Sequence, residues 1–116
     1  MKYLIAFFGA SAVLLGALGA HTLAPYLEAS ALNSFKTGVL YQLVHAVALL
    51  ATLKSNIANW ARYCWSAGII LFSFSIYLLA TDDLLGVNLS FLGPITPLGG
   101  LAFVVGWIGS ALPKSN

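Results

Sequence analysis

Residues 37–53 read TGVLYQLVHAVALLATL, a nearly continuous hydrocarbon stretch that carries the polar side chains of Tyr41, Gln42 and His45. At ~1.5 Å of rise per residue, a helix of this length comes close to crossing the ~30 Å hydrocarbon core of a bilayer. An unsatisfied polar group in hydrocarbon costs several kcal/mol. The stretch therefore predicts a membrane-spanning helix whose polar side chains face other helices rather than lipid.

The composition of the whole chain is typical of an integral membrane protein. Hydrophobic residues make up 60% of the 116 residues and charged residues only 7%, against roughly 45–50% and about 25% in soluble domains. A net charge of +2 is too sparse for a nucleic-acid surface. The single cysteine, Cys64, cannot form an intramolecular disulfide, and we expect neither a metal site nor another cofactor.

Four apolar runs divide the chain, at about 3–23, 38–53, 63–80 and 97–112. Nothing alternates with a period of two over ten residues, which excludes a β-barrel. The sequence thus predicts an all-α fold, an integral membrane four-helix bundle formed by a single domain over residues 1–116. The first run resembles a signal peptide, but it is longer than a usual signal core and we expect it to be retained. Thr96 and Pro97 predict the N-cap and the first position of the fourth helix.

Basic residues collect on one side of the predicted bundle. With four spans, the two termini share a side with the loop between the second and third runs. That side holds Lys2, Lys54, Arg62 and Lys114, whereas Lys36 is the one base on the opposite side. The positive-inside rule then places both termini in the cytoplasm and the protein in the inner (plasma) membrane of the cell.

Polar side chains gather in the outer half of the predicted bundle, while the inner half is almost entirely aliphatic and aromatic. The candidate cluster consists of His21, Tyr41, Gln42, His45, Ser73, Ser75, Tyr77 and Thr96. One interpretation is that these side chains form interhelical hydrogen bonds that stabilise the bundle. The other is that His45 lines a pocket or a relay, because an ionisable group at membrane depth is a functional candidate.

Small residues recur at every fourth position in two of the runs. Ala12, Gly16 and Ala20 do so in the first run, and Ala102, Gly106 and Ser110 do so in the fourth. Such spacing lets membrane helices pack closely. We expect these faces to pack within the bundle rather than between copies.

Two connections carry structural signals. Residues 25–38 predict a short interfacial helix before span two, or an outer extension of that span. Residues 82–100 are too apolar for a free loop, and their glycines and prolines prevent one continuous helix. We expect this apolar outer loop to fold over the bundle as a lid formed by Leu84, Leu85, Leu89, Phe91 and Leu92.

Four ordered motifs carry a resemblance to a known family. They are GALGAHTL at 16–23, YQLVHA at 41–46, LFSFSIYLLA at 71–80 and GPITPLGGLAFVVGW at 93–107. They resemble the small membrane family of domain of unknown function 423, which includes the eukaryotic transmembrane protein 256. The resemblance covers nearly the whole chain and implies a four-helix membrane protein without an established molecular activity. Phe74 and Ile76 depart from the pattern, since smaller residues and leucine are more usual there.

Several mechanisms do not fit the residues. No acidic residue lies within a run, which disfavours a proton-coupled exporter, and the charge bias disfavours a dual-topology channel. His21 and His45 differ in depth by ~10 Å, which disfavours a haem held between them. No Ser, His and Asp ordering is recognisable, so we expect no enzyme activity.

A binding or structural role remains. The leading hypothesis is an accessory protein that stabilises membrane assemblies or binds a lipid-like molecule through the polar cluster. Its expected partners are membrane lipids, another membrane protein or further copies of itself. The alternative is an oligomeric channel or carrier for a small solute.

Overall fold

The computed structural model describes residues 1–115 and contains four helices long and apolar enough to cross a membrane. Span one covers Lys2–Tyr26, span two Ala29–Thr52, span three Asn59–Leu85 and span four Ser90–Gly109. The predicted all-α architecture with four spans is confirmed. Each structural span is longer than the apolar run that predicted it, and span two begins at Ala29, nine residues before the start of its run.

The chain termini lie at the same end of the bundle as the connection between spans two and three. The backbone N–H of Ala58 in this connection donates to the Leu112 carbonyl oxygen at 2.9 Å, and that of Lys114 donates to Asn56 at 3.1 Å. Met1 borders a small cavity together with Leu53. We call this the terminal end, and the opposite end, with the other two connections, the distal end.

Three of the four spans contain irregular helix. Span one is α-helical over Lys2–Ala17, π-helical over Leu18–Leu23 and 3₁₀-helical over Ala24–Tyr26. Span three consists of α-helices at Asn59–Gly68 and Ser75–Leu85 joined by a π-helix at Ile69–Phe74. Span four has a 3₁₀ turn at Ser90–Leu92 and an α-helix at Ile95–Gly109.

The π-helix of span three keeps one face of that span turned inward along its length. Buried residues recur there at every fourth position: Ala61, Trp65, Ile69, Ser73 and Tyr77. In an α-helix with 3.6 residues per turn, a four-residue spacing drifts around the axis. The i→i+5 hydrogen bonds of the π-helix place more residues in a turn and offset this drift. Tyr77 therefore still faces the interior, where it contacts Phe35 and Gln42 of span two.

The spans pack in chain order, span one on two, two on three and three on four. Their core lies towards the terminal end and consists of Ile5, Phe8, Ala46, Leu49, Trp65, Ile69 and Phe103. Between spans three and four the backbones approach closely at Gly99, where an added Cβ would lie 2.7 Å from backbone atoms of Leu71 and Phe72. Small residues thus allow the contact, as expected where no hydrophobic effect draws helices together.

The predicted separate interfacial helix before span two is wrong. Span two is one continuous α-helix from Ala29, and the break in the chain lies earlier, at the extended residues Leu27 and Glu28. Residues 29–37 contain neither glycine nor proline, so nothing interrupts the helix before Gly38. The alternative expectation, an extension of span two, describes the structure.

The predicted N-cap of span four is also misplaced. The α-helix begins at Ile95 after Pro94, so that Thr96 and Pro97 both lie in its first turn. A proline is tolerated there because the first N–H groups of a helix have no intrahelical acceptor.

The predicted lid over the distal end is not formed. Leu84, Leu85 and Phe91 are 47%, 57% and 67% exposed, and Leu89 and Leu92 are half-buried. Span three ends at Leu85 and is followed by Gly86, whose φ of 70° lies in the left-handed region that glycine adopts most easily. Only three residues separate Gly86 from the turn that opens span four, which is too few to cross the end of the bundle.

Candidate functional site

Gln42 is the centre of the polar residues buried between the spans. Its side chain is fully buried, and Nε2 donates to the Phe8 carbonyl oxygen at 2.8 Å and to Ser11 Oγ at 2.7 Å. Oε1 accepts a 2.6 Å hydrogen bond from the Tyr77 hydroxyl. Because a carbonyl oxygen can only accept, the orientation of the amide is determined by its partners. One side chain therefore connects spans one, two and three.

His45 connects span two to span four. Its Nε2 accepts a 2.9 Å hydrogen bond from the indole Nε1–H of Trp107, and its Nδ1 lies 2.7 Å from the Tyr41 carbonyl oxygen. An indole N–H only donates and a carbonyl only accepts, so both bonds are satisfied by the neutral tautomer that carries its proton on Nδ1. The ring also stacks on Phe103, with centroids 3.7 Å apart.

Two serines of span three complete the interhelical hydrogen bonds. Ser73 Oγ donates to the Gly38 carbonyl oxygen at 2.7 Å. Ser75 Oγ lies 2.6 Å from Thr96 Oγ1 and also donates to the Leu71 carbonyl oxygen within its own helix. We refer to Gln42, His45, Ser73, Ser75, Tyr77 and Thr96 as the polar layer.

Two members of the predicted cluster lie outside the polar layer. His21 is exposed in the π-helix of span one. Tyr41 is 41% exposed, and its ring packs 4.9 Å from that of Phe72. The other six predicted side chains are buried or half-buried between the spans, but only two pairs of them are joined by side-chain hydrogen bonds, Gln42 with Tyr77 and Ser75 with Thr96.

Only some of the predicted small-residue positions lie at contacts between helices. Gly16 faces Val39 of span two, where an added Cβ would lie 3.3 Å away, and Gly106 lies against the Trp65 ring of span three. Ala102 is half-buried and Ala20 is exposed. At the distal end of span one it is Gly19 that faces span two, 2.8 Å from the Phe35 ring when a Cβ is added.

Sequence reasoning missed three partners of the polar layer. They are Ser11, Phe103 and Trp107, to which the sequence analysis assigned no role in the cluster. A buried indole N–H usually finds an acceptor, which was a usable signal for Trp107, although the buried indole N–H of Trp65 has no partner among the described residues. His45 on span two supplies the acceptor for Trp107.

A groove at the distal end offers polar groups that the protein itself does not use. Its volume is about 640 Å³. Span two contributes a polar stripe, and span three faces it with apolar side chains. The lining residues are Ser30, Ala31, Asn33, Ser34, Thr37, Ile76, Leu79, Ala80, Gly93, Thr96 and Pro97. We call it the distal groove.

The polar stripe of the distal groove follows the helix geometry of span two. Ser30, Asn33, Ser34 and Thr37 are spaced i, i+3, i+4 and i+7, which places them on one face over about 10 Å of helix. Within residues 1–115, the side chains of Ser30, Asn33 and Ser34 have no hydrogen-bond partner. None of the lining residues is charged. Across the part of the chain that is described, no three His, Cys, Asp or Glu side chains group closely enough to hold a metal ion.

At the terminal end, Arg62 is buried and stabilises the end of span two. Its Nε donates to the Thr52 carbonyl oxygen at 3.1 Å, and its Nη2 donates to the Ser55 carbonyl oxygen at 2.8 Å and also to that of Thr52. Nη1 donates to Asn59 Oδ1 at 2.9 Å. The carbonyls at a helix C-terminus carry partial negative charge, which the guanidinium offsets.

Comparison with known proteins gives a consistent result. Residues 15–100 match the family described as "Protein of unknown function (DUF423)". A UPF0382 membrane protein of Haemophilus influenzae is 40% identical over 95% of this chain and 90% of its own length. The UPF0382 membrane protein YwdK of Bacillus subtilis is 43% identical over 84% of this chain and 80% of its own.

The UPF0382 inner membrane protein YgdD of Escherichia coli is 35% identical over 82% of this chain and 73% of its own length. These relatives and the four apolar helices confirm the predicted localisation as a multi-pass protein of the inner membrane. No solved structure matches the chain. The resemblance in the four sequence motifs is confirmed: the chain belongs to the DUF423 family of small membrane proteins, whose molecular activity is unknown.

Proposed function

We propose that the protein is a non-enzymatic accessory membrane protein that binds an uncharged amphiphile in the distal groove. The observation that carries the proposal is the contrast between two sets of polar groups. Those of the polar layer are engaged in hydrogen bonds within the protein, whereas those of Ser30, Asn33 and Ser34 face the distal groove without a partner in residues 1–115.

The polar layer supports this division of roles. A ligand that took up the hydrogen bonds of Gln42 or His45 would have to displace Tyr77 or Trp107 and leave a buried polar group unpaired. Such a group costs roughly 1–3 kcal/mol or more in an apolar environment. The polar layer therefore acts as interhelical support, and the sequence-based idea that it is itself the recognition surface is not retained.

The two walls of the distal groove fit a molecule with a polar and an apolar part. Hydroxyl and carboxamide groups from span two provide donors and acceptors, and Ile76, Leu79 and Ala80 provide a hydrocarbon wall. A volume of about 640 Å³ lies within the ~300–1,000 Å³ range of small-molecule sites. The position at the distal end of the spans matches the depth at which the polar part of a lipid meets its chains.

The lining of the distal groove contains no charged residue, which favours an uncharged ligand. A charged headgroup that enters a partly desolvated site needs a counter-charge, and none of the lining side chains supplies one. Hydroxyl, ester or amide groups need only the hydrogen bonds that Ser30, Asn33 and Ser34 can provide. The proposed ligand is therefore an uncharged amphiphile that presents such groups.

The proposal is tested with dioctanoylglycerol, an uncharged amphiphile with a free hydroxyl and two ester groups. The purified full-length chain in detergent micelles is titrated with this lipid, and bound adducts are counted by native mass spectrometry. We expect binding to fall at least tenfold in Ala80→Phe, which fills the groove, and several-fold in Asn33→Leu. The conservative change Asn33→Gln should leave binding close to that of the wild-type chain, because it retains the amide.

The matched control is Ala51→Phe, which makes the same change at an exposed position near the terminal end of span two. Equal binding to Ala80→Phe and Ala51→Phe would contradict the proposal. Solute flux into proteoliposomes that is abolished by His45→Ala would instead support the alternative, an oligomeric channel or carrier. Whether the protein assembles with further copies or another membrane protein stays a prediction, which the same spectra test through the mass of the complex.

A further inference from the structure

A second groove lies between spans one and two, at the opposite end of the molecule from the distal groove. It has a volume of about 340 Å³ and is apolar apart from one lysine. Its lining residues are Lys2, Ile5, Ala6, Gly9, Leu43, Ala46, Val47 and Leu50. We call it the terminal groove.

Each wall of the terminal groove is one face of a helix. Lys2, Ile5, Ala6 and Gly9 have the spacing i, i+3, i+4 and i+7 on span one, and residues 43–50 repeat that spacing on span two. The two helices run antiparallel, so Lys2 lies at the level of Leu50 and Gly9 at that of Leu43. The groove therefore runs about 10 Å along the spans, starting at the lysine.

The floor of the terminal groove is closed and its far end is open. Ile5 and Ala46 are only 5% and 3% exposed and form the floor. At Gly9 an added Cβ would have no atom within 4 Å, so the groove stays unfilled on this side. An extended hydrocarbon chain fits such a shape, since it needs length and apolar contact but no hydrogen bonds.

Lys2 supplies charge at one end of this apolar groove. Its ammonium lies 5.1 Å from the centroid of the Tyr3 ring, and Tyr3 is 80% exposed, as is typical of an aromatic residue at the membrane interface. No carboxylate lines the groove. The ammonium is therefore available to an anionic group placed at the end of a bound hydrocarbon chain.

We infer that the terminal groove binds one acyl chain of an anionic phospholipid, with the phosphate of the headgroup against Lys2. The apolar terminal groove, which can hold a hydrocarbon chain, ends at the ammonium group of Lys2, at the level where span one begins. Charge complementarity selects an anionic lipid over a zwitterionic one, and the closed floor holds its chain against Ala46. This site is independent of the proposed function, because it shares no residue with the distal groove.

The test uses the full-length chain in detergent micelles, with phosphatidylglycerol and phosphatidylcholine of identical chains as probes and native mass spectrometry as readout. The wild-type protein should retain phosphatidylglycerol about fivefold better, the effect expected of one lysine near an anionic headgroup. Lys2→Gln should remove this preference, and Lys114→Gln, the same change at an exposed position in the C-terminal segment, should keep it. A preference that survives Lys2→Gln would overturn the inference.

Filling the groove tests the position of the acyl chain. Gly9→Leu should reduce the retention of both lipids at least fivefold, whereas Ala10→Leu, at the exposed neighbouring position, should not. Val47→Phe narrows the groove from span two, and Val44→Phe is its control outside the lining, so the test does not depend on Gly9→Leu alone. Equal retention by filling and control variants would refute the site. A wild-type dimer that both filling variants dissociate would also refute it and assign the groove to a second copy.

Discussion

Gln42 shows how a strongly polar residue can be accommodated in mid-membrane. Three hydrogen bonds satisfy its amide, and they reach the backbone of span one, a serine of span one and a tyrosine of span three. Gly38 makes the last of these possible, because an added Cβ there would lie 2.9 Å from the Tyr77 ring. The residue therefore stabilises the arrangement of three spans.

We predict that Gln42→Leu lowers the free energy of unfolding by about 2–3 kcal/mol, because interhelical hydrogen bonds in membranes contribute roughly 0.6–1.7 kcal/mol each. Leucine has nearly the same volume, so the change removes the hydrogen bonds with little effect on packing. Reversible unfolding of the purified protein in mixed detergent micelles measures the difference.

The control is Tyr77→Phe, which removes a single hydrogen bond and should cost about 1 kcal/mol. The double variant separates the two contributions, because Gln42 and Tyr77 are direct partners and their effects should not add. Strictly additive effects would show that the Gln42–Tyr77 hydrogen bond does not contribute to stability.

For individual residues, the sequence identified the members of the polar layer better than it identified their hydrogen-bond partners. The contact between Gln42 and Tyr77 agrees with the matching depths expected for these residues on antiparallel spans. The pairing of His45 with Trp107 did not follow, since it depends on how spans two and four are rotated about their axes. Helical periodicity is weak on spans that are apolar on every side.

At the scale of the helices, close approach is set by individual glycines. Gly99 and Gly100 are neighbours in span four, but only Gly99 meets the backbone of span three. A backbone contact cannot be relieved by a rotamer change. For Gly100 the nearest atoms to an added Cβ belong to the Phe72 ring, at 3.8 Å and beyond, which is ordinary van der Waals contact.

We therefore predict opposite outcomes for two neighbouring substitutions. Gly99→Ala should separate spans three and four and destabilise the protein by about 1–3 kcal/mol. Gly100→Ala should be neutral or stabilise it by up to ~1 kcal/mol, because alanine is the better helix former. Thermal unfolding of both variants in the same detergent measures this difference in stability. Equal unfolding midpoint temperatures would contradict the close backbone contact at Gly99.

The limits of the spans were harder to predict than their number. Hydropathy located the four spans, but it did not decide whether residues 29–37 form a separate interfacial helix or, as in the structure, a polar continuation of span two that lines the distal groove. It also gave no sign of the π-helix at Ile69–Phe74. The four-residue spacing of buried positions in span three is visible only once the exposed fractions are known, because most residues around that span are apolar.

At the scale of the whole molecule, both termini and the loop between spans two and three lie at one end, and the charge bias predicts that this end is cytoplasmic. In a Cys64→Ala background, we expect Asp83→Cys at the distal end to react with a membrane-impermeant maleimide added to intact cells. Asn56→Cys at the terminal end should react only after the cells are permeabilised. The reverse pattern would show the opposite orientation.

Arg62 is relevant both to the insertion of the chain into the membrane and to the stability of the folded protein. The positive-inside rule applies while the chain is being inserted into the membrane. At that stage the guanidinium of Arg62 is hydrated, and its charge favours the cytoplasmic side for the connection between spans two and three. In the finished protein that same cation is 7% exposed and is held by oxygens of residues 52–59. The predicted contribution of Arg62 to the orientation of the inserting chain needs only its positive charge, whereas its contribution to the folded protein needs several hydrogen bonds made at once. We therefore expect Arg62→Lys to keep the orientation and to weaken the connection between spans two and three.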